Sequence, residues 1–326
     1  MCSTNDSQMT MVEEEEKPLY EEIDPDFEDE NGALKTDNPK NNRWQRNFVH
    51  VEDKMSKFRK TVQTVLVVHG WKTPERTEPM SLIILSVKLD CQKRNFRFQS
   101  ARMWLSFGED CGATPPDGEA APEVLAYAPF VASQNWNLSD ENIENTTATG
   151  ATLGADQYVH ANLELKKEVK RTSTRTYFDR GSADFMVEED RSHGVVWYLE
   201  QNELQKYGVR PEFHLAVLVK RQHDKDGKPI PFSGMFDMRV EAGFIHDFED
   251  ARRRFFRGGK PEDEAVYYDP NMEVQTGGRN NAGEKLKSRV KEDNLGELIG
   301  GPDGNWLSAL IDPTGDLSEL VPMKPT

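Results

Sequence analysis

The sequence predicts a mainly β protein: an antiparallel β-sandwich with few short helices, a disordered acidic N-terminal tail and a loop-rich C-terminal portion. Short segments rich in β-branched and aromatic residues begin after Trp44 and follow one another without helical periodicity between them. Acidic residues are concentrated before this point, and Gly and Pro recur after it. These observations predict a tail at 1–43, a sandwich domain at 44–245 and an extension with a short helix at 246–326.

The N-terminal tail is defined by its charge. Residues 1–40 contain thirteen acids against Lys17, Lys35 and Lys40, a net charge of −10, whereas the whole chain of 326 residues has −16. A segment with so few apolar side chains cannot bury enough surface to offset the entropy of ordering it. We therefore expect a disordered tail with a solvating or regulatory role.

Seven segments read as strands because apolar residues alternate or run continuously in them. They are Val62–Val68, Ser81–Leu89, Phe96–Phe98, Met103–Phe107, Tyr158–Val169, Gly194–Glu200 and Phe213–Lys220, and an eighth, Phe232–Phe244, follows the turn at Asp224–Lys228. Near the start of Ser81–Leu89, the run Leu82–Leu85 is apolar at every position, which predicts burial on both faces.

The remaining segments are interpreted as loops and short helices. The polar stretch 133–152 and the Gly- and Pro-rich stretch 108–121 are predicted to be loops. His246–Arg257 is the best candidate for a short helix, and an amphipathic helix is also compatible with about 284–298. We expect the C-terminal portion to be loosely ordered.

Charge and cysteine content limit the environment and the partners. A net charge of −16 disfavours nucleic acid, whose phosphates would be repelled. There is no apolar run of the ~20 residues that a transmembrane helix needs, and no signal peptide is recognisable. Three scattered cysteines indicate a reducing compartment, so we expect a cytoplasmic or nuclear protein.

No familiar catalytic, cofactor or metal motif is complete. His69-Gly70 resembles an oxyanion-hole turn, but the chain has no Gly-x-Ser-x-Gly nucleophile. Gly278–Lys285 departs from a phosphate-binding loop because a glutamate precedes the lysine, and the calcium-loop position twelve after Asp224 is Met235. The seven histidines show no zinc-ligand spacing. We therefore predict no catalytic, cofactor-binding or metal-binding residues.

The order of these segments resembles a family of uncharacterised proteins of filamentous ascomycete fungi. The similarity covers roughly residues 60–245, and its most distinctive part is Trp197–Asn202 followed by Gly208, Pro211 and the strand Phe213–Val219. The resemblance implies a β-rich fold in a fungal cytoplasm or nucleus, and it implies no established activity.

Three hypotheses about function follow. The first is a non-catalytic protein-interaction module with an acidic regulatory tail, whose contact face is the basic stretch Lys166, Lys167, Lys170 and Arg171. The second is an enzyme or small-molecule-binding protein with a site in the sandwich loops, for example between 133 and 154, to which His160, His193 and His214 could contribute. The third is a membrane-active β-protein that inserts after removal of the tail, for which the alternation in Tyr158–Lys170 is the evidence.

Overall fold

Two antiparallel six-stranded sheets form most of the described part of the chain. The computed structural model describes residues 36–40, 43–51, 58–91, 96–109, 121–150, 166–223, 227–242, 263–300 and 306–311. Side chains are described throughout these ranges except at 109, 144–150 and 166–172. The predicted acidic tail before residue 36 and the predicted helix His246–Arg257 both lie outside the described residues.

Sheet I has the strand order β1-β2-β3-β9-β5, and β12 also pairs with β2. Its strands are β1 Phe48–Val51, β2 Phe58–Trp71, β3 Pro79–Cys91, β5 Glu123–Ala128, β9 Glu212–Lys220 and β12 Gln275–Thr276. Sheet II has the order β11-β10-β4-β8-β7-β6. Its strands are β4 Ser100–Glu109, β6 Gln134–Gly150, β7 Lys166–Glu188, β8 Arg191–Glu200, β10 Phe232–Glu241 and β11 Val266–Tyr268.

The main core lies between the two sheets. Strand β10 shows why: Phe236, Met238 and Val240 are buried, whereas the residues between them are exposed, as expected when one face packs on a core and the other meets water. Trp197 of β8 is fully buried in this core. The prediction of a mainly β antiparallel sandwich is confirmed.

A second hydrophobic cluster lies on the outer face of sheet I, under the C-terminal segment. This segment contains the helix α1 Ala282–Lys287, a 3-10 helix Leu295–Ile299 and the helix α2 Trp306–Ile311. Leu286, Leu295 and Leu310 pack there against strand residues such as Leu82 and Ile84. Sheet I is thus covered on both faces, which explains why β3 is buried at every position from Pro79 to Leu85.

Close contact of backbones holds the C-terminal segment on sheet I. The Trp71 N–H donates to the carbonyl oxygen of Glu292 at 2.8 Å. A Cβ atom on Gly70 would lie 1.9 Å from that same oxygen, so only glycine fits at this position. The expectation of a loosely ordered C-terminal portion is therefore wrong for the described residues, because its glycines serve close packing.

Three other local predictions are also corrected. The polar stretch 133–152 is not a loop: residues 134–150 form the long strand β6. Phe96–Phe98 lies outside any strand, next to the start of β4. The helix expected at 284–298 is divided into α1 and the 3-10 helix, with turns between them. No helix in the described ranges is long and apolar enough to cross a membrane.

Candidate binding site: the projecting hairpin

The longest hairpin among the described strands continues beyond the sandwich. Strand β7 pairs with β8 only from Arg180 to Glu188. Its earlier residues pair with β6 alone, in twelve consecutive pairs from Ser139↔Tyr177 to Gly150↔Lys166. At about 3.4 Å per residue this two-stranded ribbon is about 40 Å long. We call the residues 139–150 and 166–177 the arm.

The described side chains of the arm form a polar ladder. Thr176 Oγ1 donates to Asp140 Oδ1 at 2.6 Å, and Thr174 Oγ1 donates to Asn142 Oδ1 at 3.0 Å. Residues 173–176 are all exposed. Cross-strand polar pairs of this kind contribute roughly 0.2–1 kcal/mol each. The part of the arm whose side chains are described is thus stabilised by modest contacts across the ribbon, and it shows no hydrophobic face of the kind that usually supports a free hairpin.

Tyr177 marks the lower end of the arm. Its hydroxyl donates to Glu141 Oε2 at 2.9 Å, and the Arg175 guanidinium lies 4.8 Å from the centre of its ring. The hydrogen bond to the Glu141 carboxylate raises the pKa of Tyr177, because deprotonation would remove the donor. Both charged partners therefore orient the tyrosine on the surface of the ribbon.

Asn202 joins the base of the arm to the sandwich. Its amide nitrogen donates to the Asn137 carbonyl oxygen at 2.7 Å and to Ser139 Oγ at 2.8 Å. Its backbone N–H donates to Asp179 Oδ1 at 2.5 Å. Its side-chain oxygen accepts from the N–H groups of Leu204 and Gln205. This fully buried side chain therefore connects β6 at the base of the arm to the loop after β8, and the backbone N–H of the same residue connects that loop to β7.

An aromatic stack fixes β6 where it leaves the sandwich. The rings of Phe130 and Trp136 are stacked, with centroids 5.7 Å apart. A Cβ atom at Gly181 of β7 would lie 2.5 Å from the Phe130 ring. The absence of a side chain at Gly181 thus lets Phe130 approach β7. Together with Asn202, this stack gives the arm a rigid base.

The four basic residues predicted as a contact face all lie on β7 within the arm. Lys166, Lys167, Lys170 and Arg171 are opposite Gly150, Thr149, Thr146 and Asn145 of β6. Successive residues of a strand alternate between its faces. Lys166 and Lys170 therefore belong to one face of the ribbon, and Lys167 and Arg171 to the other. All four residues lie on β7, which is one of the two edge strands of the arm.

The acidic residues of β6 were not singled out from the sequence, because 133–152 reads as a polar loop. Asp140, Glu141 and Glu144 belong to this strand. One signal could have identified it: threonines, which favour strands, recur at 146, 147 and 149 and again at 172, 174 and 176.

An open groove of about 720 Å³ lies beside β10 and β11. Its lining includes Arg43, Ser106, His193, Ser233 and Tyr267. The Arg43 guanidinium lies 4.8 Å from the centre of the Tyr267 ring, and His193 Nδ1 is buried with no hydrogen-bond partner among the described residues. Of the histidines considered for a loop site, only His193 lines the groove; His214 is on β9 of sheet I, and His160 lies outside the described residues.

A second histidine makes close polar contacts but is not placed for catalysis. His69 Nδ1 lies 2.7 Å from Ser81 Oγ, and its Nε2 lies 2.6 Å from Gln45 Nε2. Burial, and to a lesser extent the positive charge of Arg221, lowers the pKa of His69 to about 3. The ring is thus a weak base with both nitrogens occupied, and Ser81 is fully buried. This cluster is structural.

Comparisons with known proteins give no identity. No protein-family model matches the chain, and no curated protein matches it. Among solved structures, the chain is similar to the crystal structure of the Clostridium perfringens NetB toxin in the membrane-inserted form. The two are 7% identical over 69% of this chain and 85% of that chain, with a TM-score of 0.17. A TM-score this low carries no argument about fold or function.

Among the described residues, no group of three His, Cys, Asp or Glu could hold a metal ion.

Proposed function

We propose that the protein is a non-catalytic, intracellular interaction module whose contact element is the arm. The observation that carries this proposal is the geometry of the hairpin. Both strands extend about 40 Å past the sandwich, and no other described strand pairs with the outer edges of the arm. Unpaired strand edges expose backbone donors and acceptors, and they are the usual template for pairing with another chain.

The polar surface of the arm also supports a binding role. An element that only stabilised the sandwich would bury apolar side chains against it, whereas the described arm residues are largely polar and exposed. The rigid base formed by Asn202, Phe130 and Trp136 holds the ribbon in a defined direction. In this proposal the sandwich is the scaffold, the arm is the contact, and the acidic tail modulates access.

Affinity purification from host cells tests the proposal. Three forms are compared: the full chain, the chain without residues 1–40, and a chain in which 139–177 is replaced by a short Gly-containing turn. We expect a stoichiometric protein partner with the first two forms, enriched without the tail, and its loss with the shortened arm. The thermal unfolding midpoint of the shortened form shows whether the sandwich is intact.

A groove variant serves as the matched control. Arg43→Ala with Tyr267→Ala removes the cation–π contact in the groove and leaves the arm unchanged. The partner should remain bound to this variant. A partner that is lost from the groove variant and kept by the shortened arm would contradict the proposal and favour a ligand site in the groove.

Membrane activity is a second candidate function, and one sequence observation favours it. Between the two strands of the arm, Val159, Ala161, Leu163 and Leu165 alternate with polar residues, a pattern typical of strands that cross a bilayer with one apolar face. These four residues lie outside the described residues. The arm strands on either side of them contain charged residues at both faces, which places the protein-binding function first.

Release of dye from liposomes tests this second candidate. Activity would require leakage with the chain lacking residues 1–40, and its loss on Leu163→Asp. Asn162→Asp, in the polar set of the alternation, is the matched control and should retain leakage. Silence of both the full and the truncated chain would dispose of the membrane-active function.

A further inference from the structure

The two strands of the arm have opposite charge. Residues 139–150 of β6 contain three acids, Asp140, Glu141 and Glu144, and no lysine or arginine. Residues 166–177 of β7 contain five basic residues, Lys166, Lys167, Lys170, Arg171 and Arg175, against Glu168, a net charge of +4. The hairpin therefore presents one acidic edge and one basic edge.

Each of these edges can accept another strand. β6 is the terminal strand of sheet II, and β7 has no described neighbour other than β6 before Arg180. The two strands of a hairpin run in opposite directions. When two copies of the arm lie side by side in the same orientation, β7 of one copy is therefore antiparallel to β6 of the next.

Charge selects between the two ways in which copies can pair. A two-fold contact of β6 with β6, or of β7 with β7, places like charges on neighbouring strands and is disfavoured. A contact of β7 with β6 interleaves basic and acidic strands, so that each acidic strand lies between two basic ones. This second contact uses different surfaces on the two copies and can therefore repeat.

We propose that the partner of the arm is a second copy of this chain, joined head to tail through β7 of one copy and β6 of the next. The inference rests on the proposed function of the arm and names its partner. The competing role for charges on an edge strand is protective, since natural proteins often use them to prevent pairing. Reversing the charges on the two strands distinguishes an attractive role of these charges from a protective one.

The experiment uses three charge variants of the full chain in sedimentation velocity at about 0.1 M salt. The first carries Asp140→Lys, Glu141→Lys and Glu144→Lys. The second carries Lys167→Glu, Lys170→Glu and Arg171→Glu. The third combines all six substitutions, so that the edges exchange their charges while the net charge stays at −16, since six charge units are gained and six are lost.

The proposal expects a concentration-dependent assembly of the natural sequence and about tenfold weaker association or more in each single-strand variant. The combined variant and an equimolar mixture of the two single-strand variants should both regain assembly, because opposite charges again face each other. The first variant changes the net charge from −16 to −10, which weakens the general repulsion between copies. It should nevertheless associate more weakly than the natural sequence.

Three outcomes would overturn the inference: a natural sequence that remains monomeric at every concentration, association that none of the variants changes, or a combined variant that stays monomeric with an intact sandwich. In each case the affinity purification still decides the proposed function. If a different protein binds through the arm, the proposed function stands and self-association is excluded. If shortening the arm causes no partner to be lost, both the proposed function and the self-association are refuted.

Discussion

His69 lies in a buried polar cluster whose hydrogen bonds define the tautomer of its ring. The amide nitrogen of Gln45 only donates, so the Nε2 atom of neutral His69 accepts, and its Nδ1–H donates to Ser81 Oγ. The ring is held in one tautomer and cannot gain a proton without breaking the contact with Gln45. Its pKa of about 3 is therefore coupled to folding.

This coupling predicts a dependence of stability on pH. The unfolded chain has an ordinary histidine pKa near 6.5, and the folded value is lower. Between these values the unfolded state binds the proton, so the free energy of unfolding should fall as the pH falls, by up to about 1.4 kcal/mol per pH unit. Urea unfolding from pH 7 to pH 4 measures this slope. His69→Gln should reduce it, and an unchanged slope would refute the assignment.

At the scale of elements, the arm and its attachment are the informative features. The buried side chain of Asn202 bonds acceptors on β6 and donors in the loop after β8, and its backbone N–H donates to Asp179 of β7. Its neighbour Asp179 has a raised pKa because burial outweighs the hydrogen bonds that it accepts. The base of the arm thus depends on a small polar network around the buried Asn202.

Loss of Asn202 should loosen the arm more than the sandwich. Asn202→Ala removes the side-chain partner of Asn137 and Ser139 on β6 and of the N–H groups of Leu204 and Gln205, at a cost of about 1–3 kcal/mol in the free energy of unfolding. Hydrogen exchange of amides in β6 and β7 should become faster, while amides of β3 and β9 should show only the global effect. Equal acceleration in both sheets would contradict the bracing role.

A matched variant separates the two functions of Asn202. Asn202→Asp keeps the oxygen that accepts from Leu204 and Gln205, and it removes the donors to Asn137 and Ser139. We therefore expect faster exchange at the base of the arm and an unchanged loop after β8. Exchange that increases in the loop alone would count against the tether.

At the scale of the whole molecule, the C-terminal segment makes sheet I a buried layer. Leu307, Leu310 and Ile311 of α2 lie on the outer face of the sheet. Arg289 donates from Nη1 to the Leu310 carbonyl oxygen at 2.9 Å and from Nη2 to that of Ala309 at 3.1 Å, so the end of this helix is fixed to the preceding segment.

Introducing a charge beneath α2 should destabilise the protein. Leu310→Asp removes a buried side chain and places a carboxylate against an apolar sheet, which should lower the free energy of unfolding by at least about 3 kcal/mol. Ala309→Asp introduces the same charge on the exposed face of the helix and is the control. Thermal and urea unfolding compare the two. Equal stability of both variants would show that the segment is dispensable.

Strands whose residues alternate between apolar and polar, or are uniformly apolar, could be predicted from the sequence. The residue patterns of β3, β8, β9 and β10 indicate burial of one or both faces. The arm could not, because its sequence is largely polar and no apolar period distinguishes it from a polar loop. The basic residues of β7 were found by charge, but their position on an edge became visible only through their pairing with β6.

The class of fold follows from the sequence, because a series of apolar segments without helical periodicity is typical of an antiparallel sandwich. Tertiary structure decided which polar residues form strands, where the hairpin leaves the sandwich, and that the glycine-rich C-terminal segment packs on sheet I. The physical reason is the same in each case. Local patterns record what a segment buries, whereas the pairing of polar strands and the close approach of backbones depend on partners far away in the chain.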